Sequence, residues 1–167
     1  MNKFDQITLI IGVSGSGKTT IGKILASKIN GNFFDADNFH SKDNLEKMKR
    51  GIELNDLDRK PWLKKLSKKI VQWEKEIKPS VLACSALKES YRKILCGKNN
   101  KITWIYLEGS FTLILNRIKK RKNHFMASSL LKSQFEILEI PSYALKIKIN
   151  LNPEKIINQI LISLNNE

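Results

Sequence analysis

Residues 12–19 read Gly-Val-Ser-Gly-Ser-Gly-Lys-Thr, and this stretch decides the fold of the 167-residue chain. It has the pattern G-x-x-x-x-G-K-[ST]. The apolar run at residues 7–11 predicts a buried strand before it, and apolar residues at helical spacing follow from Ile21 to Ile29. A strand before this pattern and a helix after it distinguish a phosphate-binding loop from a chance match. We therefore expect the chain to bind a nucleotide here.

The residue types of the loop suit the binding of ATP with Mg²⁺, the two cofactors we expect. Glycines let backbone N–H groups turn inward around phosphate oxygens, and the following helix adds its positive dipole end. Lys18 would reach the β- and γ-phosphates as a catalytic cation, and the Thr19 hydroxyl would ligate Mg²⁺. The predicted ATP-binding residues of the loop are Gly12, Val13, Ser14, Gly15, Ser16, Gly17, Lys18, Thr19 and Thr20.

Length and composition indicate a single domain over residues 1–167. No run of about 18 apolar residues indicates a membrane span, and the first residues lack a signal-peptide pattern, so we expect a cytoplasmic protein with no membrane partner. The net charge is +14, but nearly all of the basic excess is lysine and no nucleic-acid-binding motif is present. We expect no nucleic-acid partner.

Apolar runs and amphipathic segments alternate along the chain. Strands are predicted at about 7–12, 33–35, 80–84, 102–107 and 143–151, with helices between them, including one at 57–77 with Pro61 in its first turn and one at 86–95. Such alternation predicts an α/β protein in three α/β/α layers, with a five-stranded parallel sheet and its ligand site at the carboxyl ends of the strands.

Two carboxylates directly follow the second predicted strand. A phosphotransferase needs a carboxylate near Mg²⁺ and a group that orients or deprotonates the acceptor hydroxyl. We assign Asp35 to the metal, through water, and Asp37 to the acceptor as contact or base. The alternative is that both side chains only cap a turn.

Three further blocks identify a family. Residues 37–63 are similar to D…H…N-x-x-K-M-x-x-G-x-x-L-x-D-x-D-R-x-P-W-L, residues 83–92 to A-C-S-A-L-K-x-x-Y-R, and residues 121–139 to R-x-G-H-F-M…L-L-x-S-Q…L-E. Together with the phosphate loop, they resemble the gluconate kinase (gluconokinase) family of small P-loop kinases, which is related to shikimate kinase and adenylate kinase. The resemblance covers about residues 7–141, and Asn123 stands at a usual glycine of the third block.

The resemblance implies transfer of the γ-phosphoryl group of ATP to the 6-hydroxyl of D-gluconate, which gives 6-phospho-D-gluconate and ADP and feeds the pentose phosphate pathway. It also implies a homodimer. Cations would hold the carboxylate of the substrate, and either Arg59 or Arg92 could form a bidentate pair with it. Substrate-binding residues are expected in a helical segment at about 38–78 and beyond it. They are Asp37, His40, Arg50, Asp56, Arg59, Ser85, Lys88, Arg92, His124 and Gln134.

A mobile lid is expected at about 119–138. By analogy with related kinases, Arg117 would lie against the adenine of ATP, and the catalytic Arg121 would stabilise charge on the transferred phosphoryl group. His124 and Gln134 would be carried in the lid.

Three alternatives remain open. Shikimate kinase shares the fold and the two aspartates, but a glycine-rich stretch is expected after its third strand, where this chain has residues 84–88. A nucleoside-monophosphate kinase is disfavoured because no clear base pocket is evident. A nucleic-acid-binding or regulatory module is motivated by the net charge alone.

Overall fold

The structure, a computed structural model, describes residues 6–98, 101–120 and 128–165. Within these ranges the chain forms five strands and seven α-helices. The strands are β1 (Ile7–Ile11), β2 (Asn32–Asp35), β3 (Ser80–Ala83), β4 (Ile102–Glu108) and β5 (Leu145–Lys148). The helices are α1 (Lys18–Lys28), α2 (Lys42–Lys49), α3 (Asp56–Trp73), α4 (Glu89–Cys96), α5 (Phe111–Lys120), α6 (Ser128–Ile137) and α7 (Pro153–Asn165).

The five strands form one parallel sheet in the order β2-β3-β1-β4-β5. The predicted five-stranded parallel α/β architecture is therefore confirmed. Because β1 is central, the loop that follows it lies in the middle of the carboxyl edge of the sheet, between the segments that follow β3 and β4.

Helices cover both faces of this sheet, which gives the chain its three layers. Alternate residues of β1 point to opposite faces. Ile10 packs with residues of α1, α5 and α7, whereas Leu9 and Ile11 pack with residues of α3 and α4. No helix within the described ranges is long and apolar enough to cross a membrane.

Helix α3 begins earlier and ends earlier than the apolar pattern predicted. Its N-cap is Asn55, whose side chain accepts from the backbone N–H of Asp58 at 2.8 Å, while the Asp58 carboxylate accepts from the Asn55 N–H at 3.0 Å. This capping box fixes the start of the helix, so Pro61 lies in the second turn rather than the first. The helix ends at Trp73, and Ile77 is fully exposed beyond it.

Two other elements are shorter than expected. β5 spans Leu145–Lys148 rather than 143–151. The helix predicted at 86–95 begins only at Glu89, because Ala86 has φ +40°, in the left-handed region that a right-handed helix excludes. Residues 85–88 therefore form a loop, and this difference changes the interpretation of the site.

Candidate active site

A cavity of about 600 Å³ opens at the carboxyl ends of β1, β2 and β3. The segments that follow these strands form its floor, and the start of α3 and helix α6 complete its walls. Most of the predicted site residues that the structure describes meet in this one space. Those that line it are Ser14, Gly15, Gly17, Lys18, Thr19, Thr20, Asp35, Asp37, His40, Asp56, Arg59, Ser85, Lys88 and Gln134.

The phosphate loop occupies one end of the cavity. Gly15 and Gly17 have φ values of +80° and +99°, which side chains rarely permit. Gly17 is also the N-cap of α1, so the loop leads directly into the start of the helix. Ser14, Gly15 and Gly17 line the cavity, whereas Val13 and Ser16 are buried behind it. Backbone N–H groups and a helix N-terminus are thus presented together, as phosphate binding requires.

Two side chains contact the phosphate loop directly. The Lys18 ammonium donates to the Val13 carbonyl at 2.9 Å, which holds this charge against the loop. The backbone N–H of Ser14 donates to the Gln134 Oε1 at 2.7 Å. Gln134 belongs to α6, so this bond joins that helix to the phosphate loop. Sequence reasoning assigned Gln134 to the substrate, and the structure adds this contact on the nucleotide side.

Asp35 joins the phosphate loop to the segment after β2. Its Oδ2 accepts from the Thr19 hydroxyl at 2.7 Å, and its Oδ1 accepts from the backbone N–H of Asp37 at 3.0 Å. The carboxylate therefore caps the 3₁₀ turn at residues 36–39 and also faces Thr19. A hydroxyl and a carboxylate oxygen are the hard ligands that Mg²⁺ prefers.

The described residues hold no group of three or more His, Cys, Asp or Glu side chains suited to a metal. Mg²⁺ is usually bound by one or two carboxylates together with phosphate and water.

Asp37 lies in the same cavity, beside Lys18. Its side chain is accessible to solvent inside the open cleft but is surrounded by protein on most sides. Burial raises the pKa of Asp37 above its usual value, the Lys18 ammonium lowers it, and the Asp35 carboxylate adds to the rise. A carboxylate with a raised pKa is better suited to accept a proton near neutral pH.

His40 lies flat on Trp62. The two rings stack with centroids 4.2 Å apart, and the Trp62 indole N–H donates to the Ala36 carbonyl at 2.8 Å, which fixes the ring. The side-chain amide nitrogen of Asn44 lies 3.4 Å from His40 Nδ1. Burial, and next the nearby Arg59, lower the pKa of His40 to about 4, so the imidazole is neutral at pH 7. A neutral His40 offers the cavity a hydrogen-bonding group without charge.

Cations occupy the side of the cavity that is formed by α3 and the loop 85–88. The Lys88 ammonium lies 3.0 Å from the Asp56 carboxylate, which also accepts from the Tyr91 hydroxyl. Arg59 donates to the Leu54 carbonyl, and its guanidinium lies 5.6 Å from the centroid of the Tyr91 ring. Hydrogen bonds from Tyr91 and then Lys88 lower the pKa of Asp56, so this carboxylate is ionised at neutral pH.

Arg92 lies beneath the cavity rather than in its wall. It is 1% exposed, and its guanidinium donates to the carbonyls of Ala86 at 2.7 Å and Glu139 at 2.8 Å. The resemblance implied a contact between Arg92 and the substrate. The structure instead places Arg92 in the first turn of α4, with its guanidinium turned to main-chain carbonyls. Of the two arginines left open by the sequence, Arg59 is the one that lines the cavity.

Four other predicted residues lie away from the cavity lining or outside the described residues. Arg50 is the C-cap of α2, and its side chain is exposed. Arg117 on α5 donates to the Ile149 carbonyl and comes within 4.0 Å of the Cβ position that Gly17 lacks, so it flanks the phosphate loop. The predicted roles of Arg121 and His124 fall outside the described residues.

Sequence reasoning missed three residues that shape the acceptor side. Trp62 supports His40, Asn44 joins α2 to the Asp58 carbonyl at 2.9 Å, and Tyr91 holds Asp56. All three lie inside the recognised blocks, Asn44 and Trp62 in residues 37–63 and Tyr91 in residues 83–92, which was the signal available for them. Their particular contacts follow from the fold.

Comparisons with known proteins identify the relatives of this chain. A family model described as shikimate kinase matches residues 14–163. A probable gluconokinase of Dictyostelium discoideum is 47% identical over 142 residues, which cover 81% of this chain and 71% of the relative. A gluconokinase of Arabidopsis thaliana is 41% identical, with 93% and 90% covered. The crystal structure of a gluconokinase from Sinorhizobium meliloti 1021 has a TM-score of 0.87 at 34% identity, with 98% of this chain and 93% of that chain covered.

Proposed function

Because the chain belongs to the gluconokinase family, a group of ATP-dependent kinases that phosphorylate an alcohol, we propose that its acceptor is the 6-hydroxyl of D-gluconate. The products are 6-phospho-D-gluconate and ADP. The observation that carries the proposal is that one cavity contains both the phosphate loop at one end and the two cations Arg59 and Lys88 near the other. D-Gluconate needs both, because it carries a hydroxyl to be phosphorylated and a carboxylate to be held.

The carboxylate of D-gluconate binds Arg59 and Lys88 in this proposal. Both side chains line the cavity, and both already lie near an anionic partner or a carbonyl oxygen. Arg59 supports a bidentate pair with a carboxylate, whereas Lys88 supplies a point charge. The hydroxyl groups between the two ends of the substrate bind the polar side chains of the cavity wall, which include His40 and Ser85.

Asp37 accepts the proton of the attacking 6-hydroxyl. The bond between that oxygen and the γ-phosphorus forms while the bond from phosphorus to the β–γ bridging oxygen breaks, and ADP leaves. Lys18 and the backbone N–H groups of residues 12–19 stabilise the charge on the phosphate oxygens during transfer. The raised pKa of Asp37 supports its role as base.

Thr19 and Asp35 fit a Mg²⁺ ion, because their facing oxygens match the hard ligands it prefers. When bound, Mg²⁺ would neutralise charge on the β- and γ-phosphates. The Asp35 carboxylate accepts from both the Thr19 hydroxyl and the Asp37 backbone N–H. Asp35 therefore fixes the position of the proposed proton acceptor, Asp37, relative to the phosphate loop.

The lid region, Arg117 and Arg121 retain the roles expected from the resemblance. Arg117 flanks the phosphate loop, which supports a contact with ATP. A homodimer, a cytoplasmic location and the lack of nucleic-acid or membrane partners also stay predictions from the sequence.

A product assay tests the proposal. The purified chain is incubated with ATP, Mg²⁺ and D-gluconate, and 6-phosphogluconate dehydrogenase with NADP⁺ then reports the product, since that enzyme oxidises 6-phospho-D-gluconate. We expect NADPH in step with ADP release. ADP release with D-gluconate but without NADPH would place the phosphate on another hydroxyl and contradict the proposed regiochemistry.

A further inference from the structure

Arg92 is the most completely bonded cation among the described residues, although it lies outside the cavity wall. Its Nη1 donates to the carbonyls of Ala86 and Leu87 at 2.7 and 3.2 Å. Its Nη2 donates to the Glu139 carbonyl at 2.8 Å, and its Nε lies 3.0 Å from the Glu89 carboxylate. All three guanidinium nitrogens are thus held by protein atoms.

The carbonyls that Arg92 holds belong to the acceptor wall, a name we give to residues 85–88. Ser85, Leu87 and Lys88 line the cavity, while Ala86 is fully buried with φ +40°. A non-glycine residue in this conformation is strained and persists when its surroundings determine it. The two hydrogen bonds from Arg92 Nη1 to successive carbonyls hold this strained turn, and they thereby set the direction of the Ser85 and Lys88 side chains.

Glu139 braces the acceptor wall from a second direction. Its backbone N–H donates to the Leu87 carbonyl at 2.8 Å, and its carboxylate accepts from the backbone N–H of Glu89 at 2.6 Å. Lys88, the N-cap of α4, makes no side-chain capping hydrogen bond to the first turn of the helix. The Glu139 carboxylate therefore caps this helix from a distant part of the chain, two residues after α6 ends.

We propose that Arg92 and Glu139 are positioning residues for the acceptor: they hold the strained acceptor wall so that Lys88 and Ser85 meet D-gluconate. This inference rests on the proposed function. In this inference Arg92 supports the substrate site without touching the substrate, and Glu139, the last residue of the third recognised block, has a structural role there.

Steady-state kinetics with both substrates varied separate positioning from simple stabilisation. Arg92→Lys keeps the charge but replaces the planar fork with one nitrogen, and we expect the KM for D-gluconate to rise about tenfold, as the loss of a charge-assisted hydrogen bond would give. The KM for ATP should stay within about twofold, because the phosphate loop is built from another segment. Lys93→Met, an exposed neighbour on α4, is the matched control.

Glu139→Gln keeps both main-chain bonds of residue 139 and weakens only the cap on α4. We expect it to raise the KM for D-gluconate about threefold, and it carries the test if Arg92→Lys does not fold. An unchanged KM for D-gluconate in the folded variants, or an equal rise in both KM values, would overturn the inference. A wild-type chain that folds but does not phosphorylate D-gluconate would instead contradict the proposed function, and this inference with it.

Discussion

The two ends of the cavity are built in different ways. The nucleotide end comes from one continuous segment, residues 12–20, and it presents mainly backbone N–H groups whose geometry three glycines permit. The acceptor end comes from side chains on several elements, among them His40 after β2, Arg59 on α3 and Lys88 before α4. A main-chain site suits phosphate, which all nucleotides share, whereas a side-chain site can be changed to suit a different acceptor.

The difference also appears in what holds each end in place. The nucleotide end is fixed by glycine conformations and by the start of α1. The acceptor end is fixed by contacts between side chains, such as the Lys88–Asp56 ion pair and the stack of His40 on Trp62. Substitutions at the two ends should therefore have different kinetic signatures.

The largest effect is expected at the nucleotide end. Lys18→Ala removes the cation that we expect to bind the β- and γ-phosphates, and kcat should fall about 10³-fold, as for loss of a preorganised charge at the transferred group. Coupled measurement of ADP release checks this. Lys28→Ala, an exposed lysine of the same helix, is the control and should keep wild-type kcat. A Lys18→Ala variant with wild-type kcat would remove the phosphate loop from the mechanism.

Asp37 joins the two ends in the proposed mechanism, because it lies in the cavity near Lys18 and would accept the proton of the acceptor hydroxyl. Asp37→Asn retains the shape of the side chain but cannot accept a proton, so kcat should fall about 10²-fold while the KM for ATP changes little. Steady-state assays of kcat and of the KM for each substrate measure this. Asp43→Asn on α2 serves as a matched exposed control. If Asp37→Asn altered only the KM for D-gluconate, Asp37 would bind the acceptor without serving as its base.

A smaller effect, confined to the acceptor end, is expected for Lys88→Met. The variant removes one cation and leaves the Asp56 carboxylate without its ion-pair partner beside the incoming carboxylate. The KM for D-gluconate should rise about tenfold with little change in kcat. Lys60→Met, exposed on α3, is the control. Equal KM values for Lys88→Met and wild type would exclude Lys88 from the carboxylate site.

The smallest expected effect is on stability rather than on turnover. The pKa of His40 is about 4 in the folded chain and about 6.5 when unfolded, so the unfolded state binds more protons between these values and stability falls as the pH drops from 6.5 towards 4. His40→Gln should reduce the stability lost between pH 7.5 and 5.5 by about 1 kcal/mol. Urea unfolding at both pH values measures this. An identical pH dependence in both proteins would contradict a neutral, enclosed His40.

The sequence predicted the strand, loop and helix around residues 12–19 and the parallel sheet, because both depend on local patterns. The binding of a nucleotide by this loop stays a prediction. A glycine-rich loop between a strand and a helix needs no distant contact to be recognised. Two of the boundaries that failed did so for different reasons. The Asn55–Asp58 capping box at the start of α3 is a local signal that the apolar pattern does not use. The left-handed conformation of Ala86, which delays the start of α4, is not visible in a pattern.

The acceptor end was predictable only through the resemblance to a family, and its details were not. The resemblance placed Arg92 among the substrate-binding residues, and the helix predicted at 86–95 gave no sign of its burial. The structure buries Arg92 beneath the acceptor wall, where its guanidinium donates to two main-chain carbonyls. The Glu139 carbonyl is distant in sequence, and the Ala86 carbonyl is available only because of the conformation of its turn. Such partners follow from tertiary structure alone.

Turnover of ATP by the purified chain with D-gluconate, shikimate or AMP, each offered separately, tests the central claim most directly. The account predicts ADP release that depends on D-gluconate, that is weak or absent with shikimate and AMP, and that Lys18→Ala abolishes. Turnover with shikimate or AMP in preference to D-gluconate, by a folded chain that binds ATP, would contradict the assignment of the acceptor end.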